Sequence, residues 1–256
     1  MLGYSRYVAL GDSQTEGLWD GDDETGLVGF ADRLATMLAE LRPGLRYANL
    51  AIRGKQIGDV LDDQLPRALD MGADLITVCI GMNDMTRPGP GFDRALAQLD
   101  ELHRRLAGSG ATVVTTTFPN LARILPIGRV LARRVVAINA EIRAAAHRHG
   151  FRLVDLYAAP SMTQPATWSA DRVHGSADGH RRFAAAAAEA LGLPGSGHDW
   201  AEADAAAEPP SLRSRTYSQV LWTQNMLMPW LWNHLRGRSS GDGRTPRRPV
   251  LEELSG

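Results

Sequence analysis

The sequence predicts a three-layer α/β/α sandwich built on a five-stranded parallel sheet. Three observations carry this. Strand-like and helix-like stretches alternate through the first 193 residues. Strands separated by helices imply parallel pairing, with helices on both faces of the sheet. The stretch DLITVCI at 74–80 has no polar face, as expected of a strand covered on both sides. A length of 256 residues suits one sizeable α/β domain with an appendage.

The elements follow in order. RYVAL (6–10) is a short β run. GFADRLATMLAEL (29–41) places Phe30, Leu34, Met37, Leu38 and Leu41 at helical spacing. YANLAI (47–52) is the second strand, and IGDVLDDQLPRAL (57–69) is a helix that Pro66 bends or shortens. After the strand at 74–80, FDRALAQLDELHRRLA (92–107) is amphipathic and stops before Gly108 and Gly110. ATVVTTT (111–117) is the fourth strand. A long Ala- and Arg-rich helix covers 128–149 and ends at Gly150. FRLVDL (151–156) is the fifth strand, and DGHRRFAAAAAEAL (178–191) is the last helix, with Asp178 as its expected N-cap.

The texture changes after Leu193, so residues 1–193 are read as one domain. Residues 194–215 are rich in Gly, Pro, Ala and acids and read as a linker. Residues 216–256 are an apolar stretch, with Trp222, Trp230 and Trp232 in 216–238, and an extended tail that is basic in its first half. The apolar stretch is read as packing on the domain, since large apolar side chains are usually buried. Contact with a membrane is the less favoured reading, because Pro229 breaks any continuous helix.

A net charge of -1 offers no bulk attraction to nucleic acid. Cys79 is the only cysteine, which excludes an internal disulfide and a Cys-based metal site. No His/Asp/Glu cluster has metal-ligand spacing, and neither a metal nor a cofactor is expected. No stretch reads as a secretory signal or reaches the roughly 18 apolar residues of a membrane span. A cytoplasmic protein acting on a small molecule is the expectation.

Ligands of such sheets bind outside the carboxyl ends of the strands. The first strand ends at Gly11-Asp12-Ser13, the second at Arg53-Gly54, and the third at Gly81-Met82-Asn83-Asp84. The loop after the fifth carries Asp171-Arg172-Val173-His174. Ester cleavage by a serine needs an activated hydroxyl, a base held in one tautomer, and donors for the oxyanion. Ser13 supplies the hydroxyl and His174 the base. Asp171, three residues earlier, can accept the proton on the far ring nitrogen. The N–H of Ser13, the N–H of Gly54 and the side-chain amide of Asn83 are the candidate oxyanion donors.

GDSQTEG, the glycine of NLAIRG, GMND and DRVH resemble the four sequence blocks of the SGNH hydrolases, also called GDSL esterases/lipases. The resemblance spans residues 5–193 and implies a flavodoxin-like sandwich and a serine esterase. It implies Ser13 as nucleophile and first oxyanion donor, Gly54 and Asn83 as the other donors, and Asp171 and His174 as acid and base. The first block reads GDSQ rather than GDSL, and the segment from Pro194 onward has no counterpart in the family's core pattern. An O-acyltransferase or a carbohydrate acetylesterase could use the same triad. A binding protein acting through its aromatic C-terminal segment is the rival from another class.

Around the site, Leu121, Ile124, Leu125 and Ile127 are read either as an acyl-site lining or lid or as cover for the edge of the sheet, and Trp168 as a wall. Asp12 and Asp84 are read as acids that order loops. His180 is the rival base, read as structural because it falls inside the last helix. His103, His147 and His149 have polar neighbours on their helices and are read as solvated.

Overall fold

The computed structural model describes residues 3–22, 24, 26–87, 89–125, 128–204 and 240–254. The apolar stretch at 216–238, the linker beyond residue 204 and Ile127 lie outside the described residues. The strands are β1 (Arg6–Gly11), β2 (Gly21–Asp22), β3 (Gly26–Leu27), β4 (Arg46–Asn49), β5 (Leu75–Cys79), β6 (Thr112–Thr116), β7 (Arg152–Val154) and β8 (Arg248–Glu253). The helices are α1 (Ser13–Glu16), α2 (Gly29–Leu41), α3 (Ile57–Asp59), α4 (Leu65–Asp70), α5 (Met82–Thr86), α6 (Phe92–Ala107), α7 (Leu121–Ile124), α8 (Gly128–His149) and α9 (Ala177–Leu191).

The main sheet runs β7-β6-β5-β1-β4-β8, and its first five members in that order are parallel. It therefore has six strands, not five. The sixth, β8, pairs antiparallel with β4 along the edge. The basic tail was expected to be extended, and here it closes the sheet. Its sequence, RPVLEE, hides this because an edge strand needs no apolar alternation and tolerates Pro249. Arg46 Nη2 donates to the Leu251 carbonyl at 2.9 Å and Arg67 Nη2 to the Pro249 carbonyl at 3.2 Å.

Side chains alternate across β1. Tyr7 and Ala9 face α2 and α9, while Val8 and Leu10 face α3, α4, α6 and α8. The Tyr7 ring stacks on Tyr47 at 5.0 Å, and its hydroxyl is 2.9 Å from Thr77 Oγ1. The alanine run of α9 supplies a smooth face that lets the helix lie close to the sheet.

Pro66 does not shorten the helix expected at 57–69, for helical turns run on from Ile57 to Asp70. Residues Val60–Gln64 form a π-turn, and the Leu65 N–H reaches back to the Val60 carbonyl. Proline has no N–H to give its preceding turn, so the ladder slips by one residue just before it. Asp178 is not the N-cap of α9. Ser176 takes that role through a hydrogen bond from the Gly179 N–H, and Asp178 pairs with Arg181 and Arg182.

The chain runs from β1 outward to β4, then crosses to β5, β6 and β7 on the other side of β1. The crevice between the carboxyl ends of β1 and β5 is thus the topological switch point, where α/β sheets bind ligands. Ser13 follows β1 and Asn83 follows β5.

Candidate active site

β1 ends at Gly11 with φ 153°, and a Cβ there would lie 2.4 Å from the Cys79 carbonyl oxygen and 2.3 Å from Thr15 Oγ1. Only glycine lets the chain turn this close to β5. Asp12 caps the turn that follows, its Oδ1 accepting from the Gln14 N–H at 3.2 Å. Ser13 opens α1 and is partly exposed, whereas Gly11 and Asp12 are buried.

The acid and base share one tight hairpin. Trp168 and Gly175 form a bridge, and the Ser169 N–H donates to the His174 carbonyl at 2.9 Å. Arg172 takes a left-handed φ of 58° at the tip. The fold brings this hairpin to Ser13. His174 Nε2 lies 2.7 Å from Ser13 Oγ, and His174 Nδ1 lies 2.6 Å from Asp171 Oδ2. The Gly175 N–H donates to Gln14 Oε1 at 3.2 Å, which ties the hairpin to α1. Asp171 Oδ1 accepts from Ser169 Oγ at 2.6 Å, from the Val173 N–H at 2.9 Å and from the His174 N–H at 3.0 Å. Burial pushes the Asp171 carboxyl up, but the hydrogen bond and charge of His174 and these donors outweigh it and hold it at about 2. Asp171 therefore stays ionised throughout the neutral range.

Asn83, on α5, sits between the other two elements. Its Nδ2 donates to the Lys55 carbonyl at 2.8 Å and to Asp12 Oδ2 at 3.2 Å. Lys55 follows Gly54, whose φ is 78°, and Asp12 precedes Ser13. Asn83 is thereby fixed between the loop of Gly54 and the turn of Ser13. Both amide hydrogens are engaged, and the bond to Asp12 is the longer of the two. Burial pushes the Asp12 carboxyl up to about 7, against the Gln14 N–H and the His174 charge. At neutral pH the acid is therefore about half protonated. Asp84 accepts from the Ile57 N–H at 3.2 Å, and burial pushes its carboxyl to about 6. Both acids order loops, as read from the sequence.

Beside Ser13 and His174 lies a cavity of about 30 Å³, walled by Met82, Phe118, Trp168 and Val173. Trp168 is held by its Nε1, which donates to the Met162 carbonyl at 2.9 Å. Leu121, Ile124 and Leu125 do not line this cavity. Leu121 and Leu125 turn inward to pack on the core against α8, and Ile124 is half-buried against the same core. A roomier cavity of about 360 Å³, bordered by Asp155, Glu189, His198 and Trp200, includes none of the reacting groups. Among the described residues, no group of three or more His, Cys, Asp or Glu is placed to hold a metal ion. No helix among them is long and apolar enough to cross a membrane.

His180 is fully buried. Its Nδ1 accepts from the Phe30 N–H at 3.1 Å, so Nε2 carries the proton and donates to the Leu18 carbonyl at 2.9 Å. Burial pulls it down to about 4. The unfolded histidine takes up its proton near pH 6.5. Its contribution to stability is therefore complete above pH 6.5 and drains as pH falls toward 4, at up to about 1.4 kcal/mol per pH unit. His180→Gln keeps a donor and an acceptor but removes this proton uptake. Urea unfolding of the variant is expected to show a shallower loss of stability between pH 6.5 and 4.5 than wild type, by up to one proton. Equal slopes contradict the buried neutral histidine. His103 differs from the sequence reading, for it is buried rather than solvated. It falls on the apolar stripe of α6 with Leu99, Leu102 and Leu106, its ring 5.9 Å from that of Phe151.

A parallel α/β/α sandwich with a Ser-His-Asp relay at its switch point defines a class of serine hydrolase. The chain belongs to the GDSL-like lipase/acylhydrolase family, which it matches over residues 9–182, and it is a serine ester hydrolase. No curated protein matches it significantly in sequence. Among solved structures it resembles LAE5, an alpha/beta hydrolase enzyme from the metagenome of Lake Arreo, Spain, at 24% identity and a TM-score of 0.61, covering 73% of this chain and 95% of that one. It also resembles Axe2, an acetylxylan esterase from Geobacillus stearothermophilus, at 19% identity and a TM-score of 0.60, covering 78% of this chain and 97% of that one. A third likeness is to TesA, at 20% identity and a TM-score of 0.58, covering 73% of this chain and 98% of that one. At these identities the likeness shows the fold.

Proposed function

We propose that the chain hydrolyses small carboxylic esters through an acyl-enzyme on Ser13, with acetyl as the favoured acyl group. The observation that carries this is the continuous relay from Ser13 Oγ through His174 to Asp171, at 2.7 and 2.6 Å. His174 Nε2 takes the Ser13 proton as Oγ bonds to the carbonyl carbon. The ionised Asp171 stabilises the imidazolium through Nδ1–H. The oxyanion is received by the N–H of Ser13, the N–H of Gly54 and the amide of Asn83. The imidazolium then protonates the leaving alcohol as the C–O bond breaks. Water, deprotonated by the same nitrogen, attacks the acyl-enzyme and frees the acid and Ser13.

The acyl preference follows from size. A cavity of about 30 Å³ beside Ser13 offers room for a small acyl group. Phe118 and Trp168, both buried, wall this cavity and narrow the room for a longer chain. The likeness to an acetylxylan esterase makes acetylated sugars the first natural esters to test. With p-nitrophenyl esters from acetate to palmitate, kcat/KM is expected to be highest at acetate and at least ~10-fold lower by octanoate, since a misfitted methylene costs roughly that factor or more. A rate that climbs toward octanoate overturns the acetyl preference. Inertness toward every ester, acetylated sugars included, overturns hydrolysis itself.

A further inference from the structure

The family match ends at residue 182, yet residues 240–254 return to the catalytic domain. They do so beside the nucleophile. Arg247 spreads its guanidinium over three partners: Nε donates to the Glu16 carbonyl at 3.0 Å, Nη1 to the Leu27 carbonyl at 2.5 Å, and Nη2 to Asp32 Oδ2 at 2.6 Å. Glu16 is the last residue of α1, which begins at Ser13. A helix of four residues cannot satisfy its own final carbonyls. Asn49 Nδ2 takes that of Thr15 at 2.8 Å, and Arg247 takes that of Glu16.

The Glu16 side chain holds the loop that contains Gly54. Its carboxylate accepts from the Arg53 N–H at 2.6 Å and from the Arg53 guanidinium at 2.7 Å. This pair is largely buried, with 13% and 6% of the two side chains exposed. The C-terminal segment also covers the loop directly. A Cβ on Gly241 would lie 2.1 Å from the Arg53 carbonyl oxygen and 3.1 Å from Ile52 Cγ2. The segment thus fastens both Glu16 and the backbone just before Gly54.

We propose that Arg247, on the segment 240–254, is a positioning residue for ester cleavage. It sets the Arg53–Gly54 loop in register with Ser13 by holding Glu16 from behind, while Gly241 seats the loop. The proposal rests on Gly54 as an oxyanion donor. A small displacement of such a donor is costly, since losing one outright costs about 10²–10³-fold in kcat and a misplacement of about 1 Å can cost 10²-fold.

Arg248 provides the comparison. It lies 3.5 Å from Asp32 Oδ1 and 3.5 Å from Glu252, and its guanidinium sits 5.7 Å over the Tyr47 ring. It anchors β8 without a hydrogen bond to Glu16. The test compares wild type, Arg247→Met and Arg248→Met, with Arg247→Lys in reserve should the first fail to fold. Lysine keeps a charge near Asp32 but lacks the fork that reaches three partners. Arg247→Met is expected to lower kcat for p-nitrophenyl acetate by roughly 10-fold with KM changed less than about threefold, and to speed hydrogen exchange of the peptide 50–57. Arg248→Met is expected to lower Tm while kcat and exchange at 50–57 stay within about twofold. The proposal is overturned if Arg247→Met loses Tm yet keeps wild-type kcat and exchange, or if the two variants lose kcat alike. A wild type inert toward all esters refutes the proposed hydrolysis, and the exchange readout alone then decides whether Arg247 holds the loop.

Discussion

Ser13→Ala is expected to lower kcat for p-nitrophenyl acetate by at least about 10⁴-fold and to leave the thermal midpoint nearly unchanged. The two halves of this expectation come from different atoms. The substitution removes only Oγ, whose one described partner is His174 Nε2 at 2.7 Å. The backbone is held by others: Asp12 caps the turn, and the Ser13 carbonyl accepts from the N–H groups of Gly17 and Leu18, both at 3.1 Å. Alanine is also a good helix former at the first position of α1. The Ser13 N–H remains, so the proposed oxyanion donors persist and a small residual rate over water is expected from them. The measurement is initial-rate kinetics beside thermal unfolding. A variant that keeps more than a tenth of wild-type kcat places the nucleophile elsewhere. A variant that loses both activity and fold marks Ser13 as a turn residue, the reading any strand-terminal serine must be weighed against.

The parts of this site that were legible in the sequence are those written in local chemistry. Gly11-Asp12-Ser13 ends a strand with a residue that tolerates φ 153°, followed by a capping acid. Asp171 and His174 lie three apart, a spacing one hairpin can fold onto a single face. The parallel core was legible because β5 is buried at every position. What was not legible depends on distant partners. α5, which carries Asn83, is a five-residue helix with too few turns to show a period. β8 pairs with a strand about 200 positions earlier and carries charges that only an edge accepts. His103 looked solvated beside Arg104 and Arg105, yet its phase on α6 turns it inward. Leu121 and Leu125 read equally as a lid or as cover for the sheet, because apolar residues after a strand's end suit either. Only the placement of α8 shows that they complete the core.

The second large effect concerns the direction of a proton. Asp171 Oδ1 is committed to two backbone N–H groups and the Ser169 hydroxyl, at 2.6 to 3.0 Å. Asp171→Asn keeps the size of the side chain. Its carbonyl oxygen must stay with those donors, because an NH₂ group there would face two N–H groups. The amide nitrogen therefore takes the place of Oδ2 and donates to His174 Nδ1. The imidazole then carries its proton on Nε2, the atom 2.7 Å from Ser13 Oγ, and cannot accept the serine proton. The fold keeps its hairpin, yet the base is held in the wrong tautomer. A fall in kcat of about 10⁴-fold at neutral pH is expected, with KM changed far less. Nitrogen-15 NMR of the histidine ring is the direct check: the proton sits on Nδ1 in wild type and on Nε2 in the variant. Loss of activity with an unchanged tautomer assigns Asp171 to stabilising the charge of the imidazolium. Retention of a tenth or more of kcat removes Asp171 from the relay, and the base must then be oriented by another group of the 168–175 hairpin.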